Sequence, residues 1–348
     1  MKHLLDRAGR RALSAARIVG PPTLPTVHRW ALVAVAVNVL ITVTGAAVRV
    51  TGSGLGCPTW PRCTPESFVP RAHDEISPIN MAIEFGNRLL SFVVLIIALG
   101  CLFAALRLLP RRRDLVLLAW VQPIGVAFQG VWGGLVVRSA LNPVTVSVHF
   151  LVSIGMTAAA YALYARSRRY EGPEPPVRRE VRALAWALLA STFVLVVAGV
   201  VVTGTGPHSG DEMASRFGFD IETVARIHAD IAYVTVGLTF ALAFALHLTG
   251  APGRARRAAW TLLAVEAAQG LIGYVQYFTG VPAALVNLHV LGAALVWVCA
   301  LRVLFATRPY VPAEPSGNTG TGTSGTSGTG EADRLDGTPA APAPTVPA

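Results

Sequence analysis

Trp30-Ala-Leu-Val-Ala-Val-Ala-Val-Asn-Val-Leu-Ile-Thr-Val-Thr-Gly-Ala-Ala-Val-Arg-Val50 is a run of 21 residues, nearly free of charge. At 1.5 Å per residue such a run covers ~30 Å, the thickness of a bilayer's hydrocarbon core. Seven further blocks of the same kind follow, at 79–107, 115–137, 144–166, 183–203, 223–248, 259–279 and 284–306. Eight such blocks predict an all-α integral membrane protein with eight transmembrane helices. The first is too long for a signal-peptide core and lacks a convincing cleavage site, so no cleaved leader is expected.

Composition agrees. Of the 348 residues 53% are hydrophobic and 14% charged, against roughly 25% charged in a soluble protein. The net charge of +10 resides in short loops between apolar blocks, which argues for topology and against a nucleic-acid surface. Arg111 to Arg113, the six arginines between Arg166 and Arg182, and Arg254, Arg256 and Arg257 mark one side. The alternate loops hold few bases: Arg62, Arg71, Arg138 and Arg216. The positive-inside rule puts the basic set and both termini in the cytoplasm. The loops at about 51–78 and 204–222 then lie outside.

The chain also repeats itself. Gln129-Gly130 precedes His149, and Gln269-Gly270 precedes His289, with the same spacing of 20. Pro143 and Pro282 mark the turns between. Thr51-Gly52-Ser53-Gly54 closes the first helix and Thr203-Gly204-Thr205-Gly206 the fifth. Four helices per repeat leave both halves in one orientation, so the expected architecture is two parallel four-helix-bundle repeats related by a pseudo-twofold along the membrane normal. The resulting division is 1–29 basic cytoplasmic segment, 30–166 first repeat, 167–182 cytoplasmic linker, 183–306 second repeat, and 307–348 a Gly/Ser/Thr- and Pro-rich tail expected to be disordered.

Polar side chains inside a membrane are costly and mark function by default. Asn87, His149, His228 and His289 lie on helices 2, 4, 6 and 8, each about 5–8 residues from the outer end. The repeat equates Asn87 with His228 and His149 with His289. A helix-borne histidine pair is the usual cradle of a bis-histidine haem, and His228 with His289 fits it. The competing account is a plain interhelical hydrogen bond. The ligand spacings of zinc and di-iron sites are missing. Glu84 sits one turn before Asn87, either as a helix-start carboxylate or as a group acting beside the first site. His3 and His28 are read as preceding the first span, His73 and His208 as loop residues, and His247 as near an inner helix end. Cys57 and Cys63 share a short, exposed outer loop, where a disulfide is permitted; a labile redox bond and a structural staple stay equally open. Cys101 and Cys299 read as small core residues.

Together these residues resemble the haem A synthase family. The resemblance rests on Thr51-Gly-Ser-Gly-Leu-Gly-Cys-Pro-Thr-Trp-Pro-Arg-Cys63, Ile83-Glu-Phe-Gly-Asn-Arg88, Ser147-Val-His149, Arg226-Ile-His228 and Asn287-Leu-His289, and runs from about 30 to 306. It implies a haem b cofactor with iron on His228 and His289. It implies a substrate haem O site in the first half, with iron on His149, beside Asn87 and Arg88, and Glu84 catalytic. It implies a role for the Cys57/Cys63 pair in haem handling or electron transfer. Arg88 and Arg226 are candidates to pair with haem propionates. The family has a histidine where this chain has Asn87, and asparagine is a poor haem ligand, so His149 is expected to act alone or with water. The implied reaction oxidises a ring methyl to a formyl group for terminal oxidase assembly, with dioxygen or water as oxygen source and electrons from a membrane donor. A haem O synthase and a second copy of the chain are partners it allows, in a bacterial cytoplasmic membrane.

Three other classes compete. A b-type membrane cytochrome needs only the histidine pair and leaves Glu84 and the asymmetry between halves unexplained. A transporter with parallel repeats leaves the histidines unexplained. A haem-modifying prenyltransferase needs paired aspartates for magnesium and diphosphate, which no helix carries.

Overall fold

The computed structural model describes residues 22–71, 76–168 and 175–308. The expected tail beyond 308, the basic segment before 22, His3 and His73 lie outside the described residues. Eight long helices follow in order: α1 (Leu24–Val50), α2 (Pro78–Arg107), α3 (Arg113–Arg138), α4 (Pro143–Ser167), α5 (Arg179–Thr205), α6 (Ile221–Leu248), α7 (Gly253–Phe278) and α8 (Ala283–Ala306). All eight are long and apolar enough to cross a membrane. Proline occupies the first turn of α1, α2 and α4, where its missing N–H is not needed.

Three helices begin well before their apolar blocks: α1 at Leu24, α5 at Arg179 and α7 at Gly253. The extra turns hold His28 and Arg29, Arg179 and Arg182, and Arg254 to Arg257. A hydropathy reading stops at the first charge, whereas the backbone continues and long side chains reach toward the polar interface. His28 therefore lies inside α1, not before it. Its ring stacks on Tyr164 with centroids 4.3 Å apart, and Nδ1 lies 3.2 Å from the Tyr164 carbonyl.

In the first half α1 packs on α2, α2 on α3, α3 on α4, and α4 back on α1. In the second half α5, α6, α7 and α8 close the same ring. The halves meet through α1 with α8, α4 with α8, and α4 with α5. Exchanging α1 for α5 and α4 for α8 maps that set of contacts onto itself, as a pseudo-twofold requires. The expected pair of four-helix repeats is thus the observed architecture. The seam is fastened by Trp297 of α8, whose indole donates to the Ile154 carbonyl of α4 at 3.1 Å.

The hairpin turns repeat down to the backbone. Leu141 ends the α3 to α4 connection at φ +58° and Val281 the α7 to α8 connection at φ +60°. Buried alanines, among them Ala31, Ala105, Ala119, Ala160, Ala255 and Ala259, let helices approach closely inside, while Ile96 and Leu117 point outward, 65% and 70% exposed. Small residues inside and large apolar ones outside is the arrangement a lipid solvent selects.

Candidate functional site

In each half, the helices carrying the singled-out polar residues are diagonal in the ring. α6 and α8 share no backbone contact among the described residues, nor do α2 and α4. The space between diagonal helices is where inward side chains meet. His149, His228 and His289 each start six or seven residues into their helices, ~9–10 Å along the axis from the end that carries the disulfide loop.

His228 and His289 come together: their ring centroids are 6.3 Å apart with planes at 62°. A metal–imidazole bond is ~2 Å and the nitrogen lies about 1 Å from its ring centre, so two imidazoles on one metal have centroids roughly 6 Å apart. The Nδ1 atoms of both rings, and of His149, are buried without a hydrogen-bond partner. At Nδ1 neither ring has the hydrogen bond that the alternative reading of the pair would supply.

Each histidine is backed by a glycine. A Cβ at Gly199 would lie 3.1 Å from His228 Cε1, one at Gly273 3.2 Å from His289 Cε1, and one at Gly133 3.5 Å from His149 Cε1. The matched glutamines explain the spacing of 20. Gln129 Nε2 donates to the His149 carbonyl at 2.9 Å, and Gln269 Nε2 to the His289 carbonyl at 2.8 Å. Each clamps the helix turn that carries the histidine.

The donor set suits a macrocycle. Among the described residues no three His, Cys, Asp or Glu side chains gather as a bare-ion cage. Two facing imidazoles provide only axial positions, and a porphyrin brings the equatorial nitrogens itself. The second half fits a haem on this count.

The first half departs where the sequence does. Among the described residues no second imidazole faces His149. Asn87 is held on α2 by the Thr44 hydroxyl, which donates to Oδ1 at 2.7 Å, and Gly45 lies against its amide. One turn earlier, Glu84 is 6% exposed. Its Oε2 accepts from the Cys57 N–H at 2.7 Å, and its Oε1 pairs with Arg88. Arg88 also donates to the carbonyls of Cys57, Thr59 and Arg62. All five guanidinium donors are engaged, so Arg88 fastens the loop and has no N–H left for a propionate. Arg226 is exposed at the loop end of α6.

Cys57 and Cys63 form a disulfide. The sequence suggests an exposed loop; the structure buries both cysteines, at 0% and 1% exposure, against Met81, Ile76 and Phe85. The Glu84–Arg88 pair draws the loop down, and Trp60 packs directly on Gly134 of α3. The loop thus packs down onto α2 and α3 at one end of the first half. Cys101 is buried and Cys299 half-buried, both free, in apolar helix as expected.

Arg49, which sequence reading passed over, joins this end of the first half to the second half. Its Nε donates to the His208 carbonyl at 2.6 Å and Nη2 to the Thr203 carbonyl at 2.9 Å. The signal was available: an arginine in the last turn of an otherwise apolar span is as costly as a histidine.

A profile of the cytochrome oxidase assembly proteins COX15-CtaA matches residues 28–301. The chain belongs to the COX15-CtaA family. The match contains every residue of both pockets, the disulfide loop and Arg49. Among relatives, a protein of Staphylococcus saprophyticus named "Heme A synthase" is 24% identical over 180 residues, 50% of this chain and 58% of that one. A protein of the same name from Lysinibacillus sphaericus is 28% identical over 183 residues, 51% of this chain and 58% of its own length. A Thermus thermophilus protein named protohaem IX farnesyltransferase is 29% identical over 294 residues, 78% of this chain but 46% of that protein. The chain thus spans a little over half the length of these two haem A synthases.

Proposed function

We propose that this member of the COX15-CtaA family is a haem A synthase, which oxidises a ring methyl of haem O to the formyl group of haem A. One observation carries the reading: two halves of the same architecture, one with facing histidines and the other with His149 and, at the position the repeat equates with His228, Asn87 bonded to Thr44. A b-type cytochrome has no need to break the second pair.

On this reading haem b is held by His228 and His289 and supplies one-electron transfer when bound. Haem O binds in the first half on His149. Asn87, tied to Thr44, would offer an amide where the repeat places His228, and an amide is a poor iron ligand. Oxidation proceeds in two steps, from methyl to alcohol and from alcohol to a hydrate that loses water to give the aldehyde, with dioxygen or water as oxygen source. Glu84 and Arg88 act at this site through the loop they hold: the cap formed by Cys57 to Cys63 and Trp60 shields the reacting edge from water. A direct proton-handling role for Glu84 requires that its bonds to Cys57 and Arg88 open during turnover.

Charge distribution supports a bacterial cytoplasmic membrane location with both termini inside and the disulfide outside. The partners are haem O, a membrane electron donor, a haem O synthase and a second copy of this chain. The Thermus relative named as a farnesyltransferase supports that association, since over half of it lies beyond the part this chain matches.

The test is the haem content of membranes. Cells relying on wild-type protein should contain haem A. His149→Ala should abolish haem A and let haem O accumulate while the low-spin signal of the second half persists. Undiminished haem A in that variant would overturn the assignment.

A further inference from the structure

The second half buries a carboxylate where the repeat gives the first half an apolar residue. Glu266 of α7 is 6% exposed. The register that equates Gln129 with Gln269 equates Glu266 with Val126, and the neighbouring Cys299 with Ala159. The register that equates Asn87 with His228 puts Ala98 at the place of Thr239, which bonds Glu266. These polar residues are therefore not part of the shared scaffold, and their cost inside a membrane needs a reason that belongs to this half. Glu266, Gln269 and Gly273 are spaced i, i+3 and i+7, which is one face of α7. Gly273 backs the His289 ring and Gln269 clamps the His289 carbonyl. Glu266 thus lies on the pocket face, ~10 Å along the axis from Gly273.

Thr239 suits a neighbour that exchanges a proton. Its Oγ1 is 2.9 Å from Glu266 Oε1 and 3.1 Å from the Thr235 carbonyl, and a hydroxyl has one hydrogen to give. With Glu266 ionised, Thr239 donates to Oε1. With a proton on Oε1, the carboxyl donates to Thr239, which turns its hydrogen to the Thr235 carbonyl. Both states are served by rotation of one hydroxyl. Oε2 is buried with no hydrogen-bond partner among the described residues, so no second donor holds the carboxylate to one state. The surroundings are otherwise nearly free of charge. α7 packs on α6 and α8. From α6, Thr239 meets Glu266, while Asp230, Tyr233 and His247 are exposed and His228 belongs to the pocket. From α8, the Cys299 thiol is within electrostatic reach of Glu266, Arg302 is exposed, and His289 belongs to the pocket. On α7 itself the nearest titratable residues, Arg257 and Tyr274, are ~12 Å or more away along the axis.

We propose that Glu266 is the proton site of the second pocket: it takes up one proton as the haem held by His228 and His289 gains one electron, and releases it on reoxidation. The placing of a haem there rests on the function proposed above. The balance is one electron to the iron from a one-electron reductant and one proton from water to the carboxylate, so the net charge of the bundle does not change. Compensation matters because apolar surroundings screen an added charge poorly. At ~10 Å and an effective dielectric of ~20, each charge alters the other's equilibrium on the order of tenfold.

The experiment is a spectroelectrochemical titration of the low-spin haem in purified full-length protein in nanodiscs, repeated from acid to alkaline buffer with an electrode as reductant. The wild-type midpoint should fall as pH rises and level off at both ends, spanning about tenfold in the reduction equilibrium, ~59 mV for one electron. Glu266→Gln keeps the shape of the side chain and should hold the midpoint flat, near the acid limit of wild type. Thr239→Val should displace the pH interval and keep the dependence. Redox-difference infrared spectra should show a carboxyl C=O band that appears on reduction in wild type, shifts in Thr239→Val and is missing from Glu266→Gln. A pH-difference infrared spectrum of haem-depleted protein should show the same band, a readout that needs no haem. A wild-type midpoint independent of pH would overturn the proposal. So would an equal dependence in Glu266→Gln, which assigns the proton to the haem's own carboxylates. Should Glu266→Gln fail to keep haem, the infrared spectra decide: no carboxyl band on reduction of wild type, or a band unmoved in Thr239→Val, overturns it. A titrating Glu266 band in wild-type protein that has no low-spin haem would sustain the proton site and fell the haem assignment alone.

Discussion

His228 and His289 face each other at 6.3 Å although the helices that carry them, α6 and α8, share no backbone contact among the described residues. The rings span a gap that helix packing leaves open. What keeps the gap open is the absence of side chains on the adjacent helices, at Gly199 and Gly273.

Wedging those glycines should therefore empty the pocket without touching a ligand. Gly199→Leu and Gly273→Leu drive carbon into a ring that a Cβ alone would approach to 3.1 or 3.2 Å. Low-spin haem retained on purification should fall about tenfold or more, the scale of losing a ligand's support. Gly133→Leu should leave that spectrum intact and lower haem A. Full haem retention in the first two variants would refute the role given to the glycines.

Glu84 anchors the disulfide loop through a buried ion pair and a backbone N–H. Glu84→Ala should raise the population of the open loop by about 2 kcal/mol, roughly 30-fold, since a buried charge pair loses one partner. The measurement is the rate at which a water-soluble phosphine exposes Cys57 and Cys63 to maleimide. The haem spectrum of the second half should not change. A reduction rate like wild type would place the anchor elsewhere.

Arg49→Met keeps the apolar stem and removes two charge-assisted hydrogen bonds to the second half. We expect a loss of about 2–3 kcal/mol in unfolding from mixed micelles. Hydrogen exchange should quicken most at 207–211. Protection unchanged there would count against the link.

The two positive-φ turn residues should respond to glycine with opposite signs. Val281→Gly relieves a branched side chain at φ +60° and should stabilise by about 1 kcal/mol. Leu141→Gly gains the same relief but removes a buried side chain packed beside Gly54 and Gly210, at a net cost of about 2 kcal/mol. Equal effects would show that strain, not packing, governs both turns.

Much of this was legible in the residues. Apolar run length carried the eight helices, and the spacing of 20 carried the repeat. Helix starts were not legible where arginines extend α5 and α7 into the interface, because hydropathy reads side chains and not backbone. The histidines were visible as costly polar groups; the glycines behind them were not, since a missing side chain has meaning only beside its neighbour. The Gln129 and Gln269 clamps appeared as a spacing without a bond. The Cys57–Cys63 bond was expected, but its burial was missed, because the Glu84 and Arg88 side chains that hold the loop down are some 20 to 30 residues away in the chain, and long-range pairing leaves no local pattern.

α8 closes the second ring and the seam at once: it packs on α5 and α7 in its own half and on α1 and α4 across the seam. It is also the last of the described helices to leave the ribosome. At ~5–20 residues per second, α4 waits on the order of ten seconds for the partner whose Trp297 will bond its Ile154. During that interval the face of α4 destined for α8 is open to lipid or to whatever the insertion machinery places against it. The seam face of the first half thus stays uncovered until a helix of the second half arrives. A premature stop before α8 would leave the ring of α1 to α4 closed on itself but without α8 at its seam.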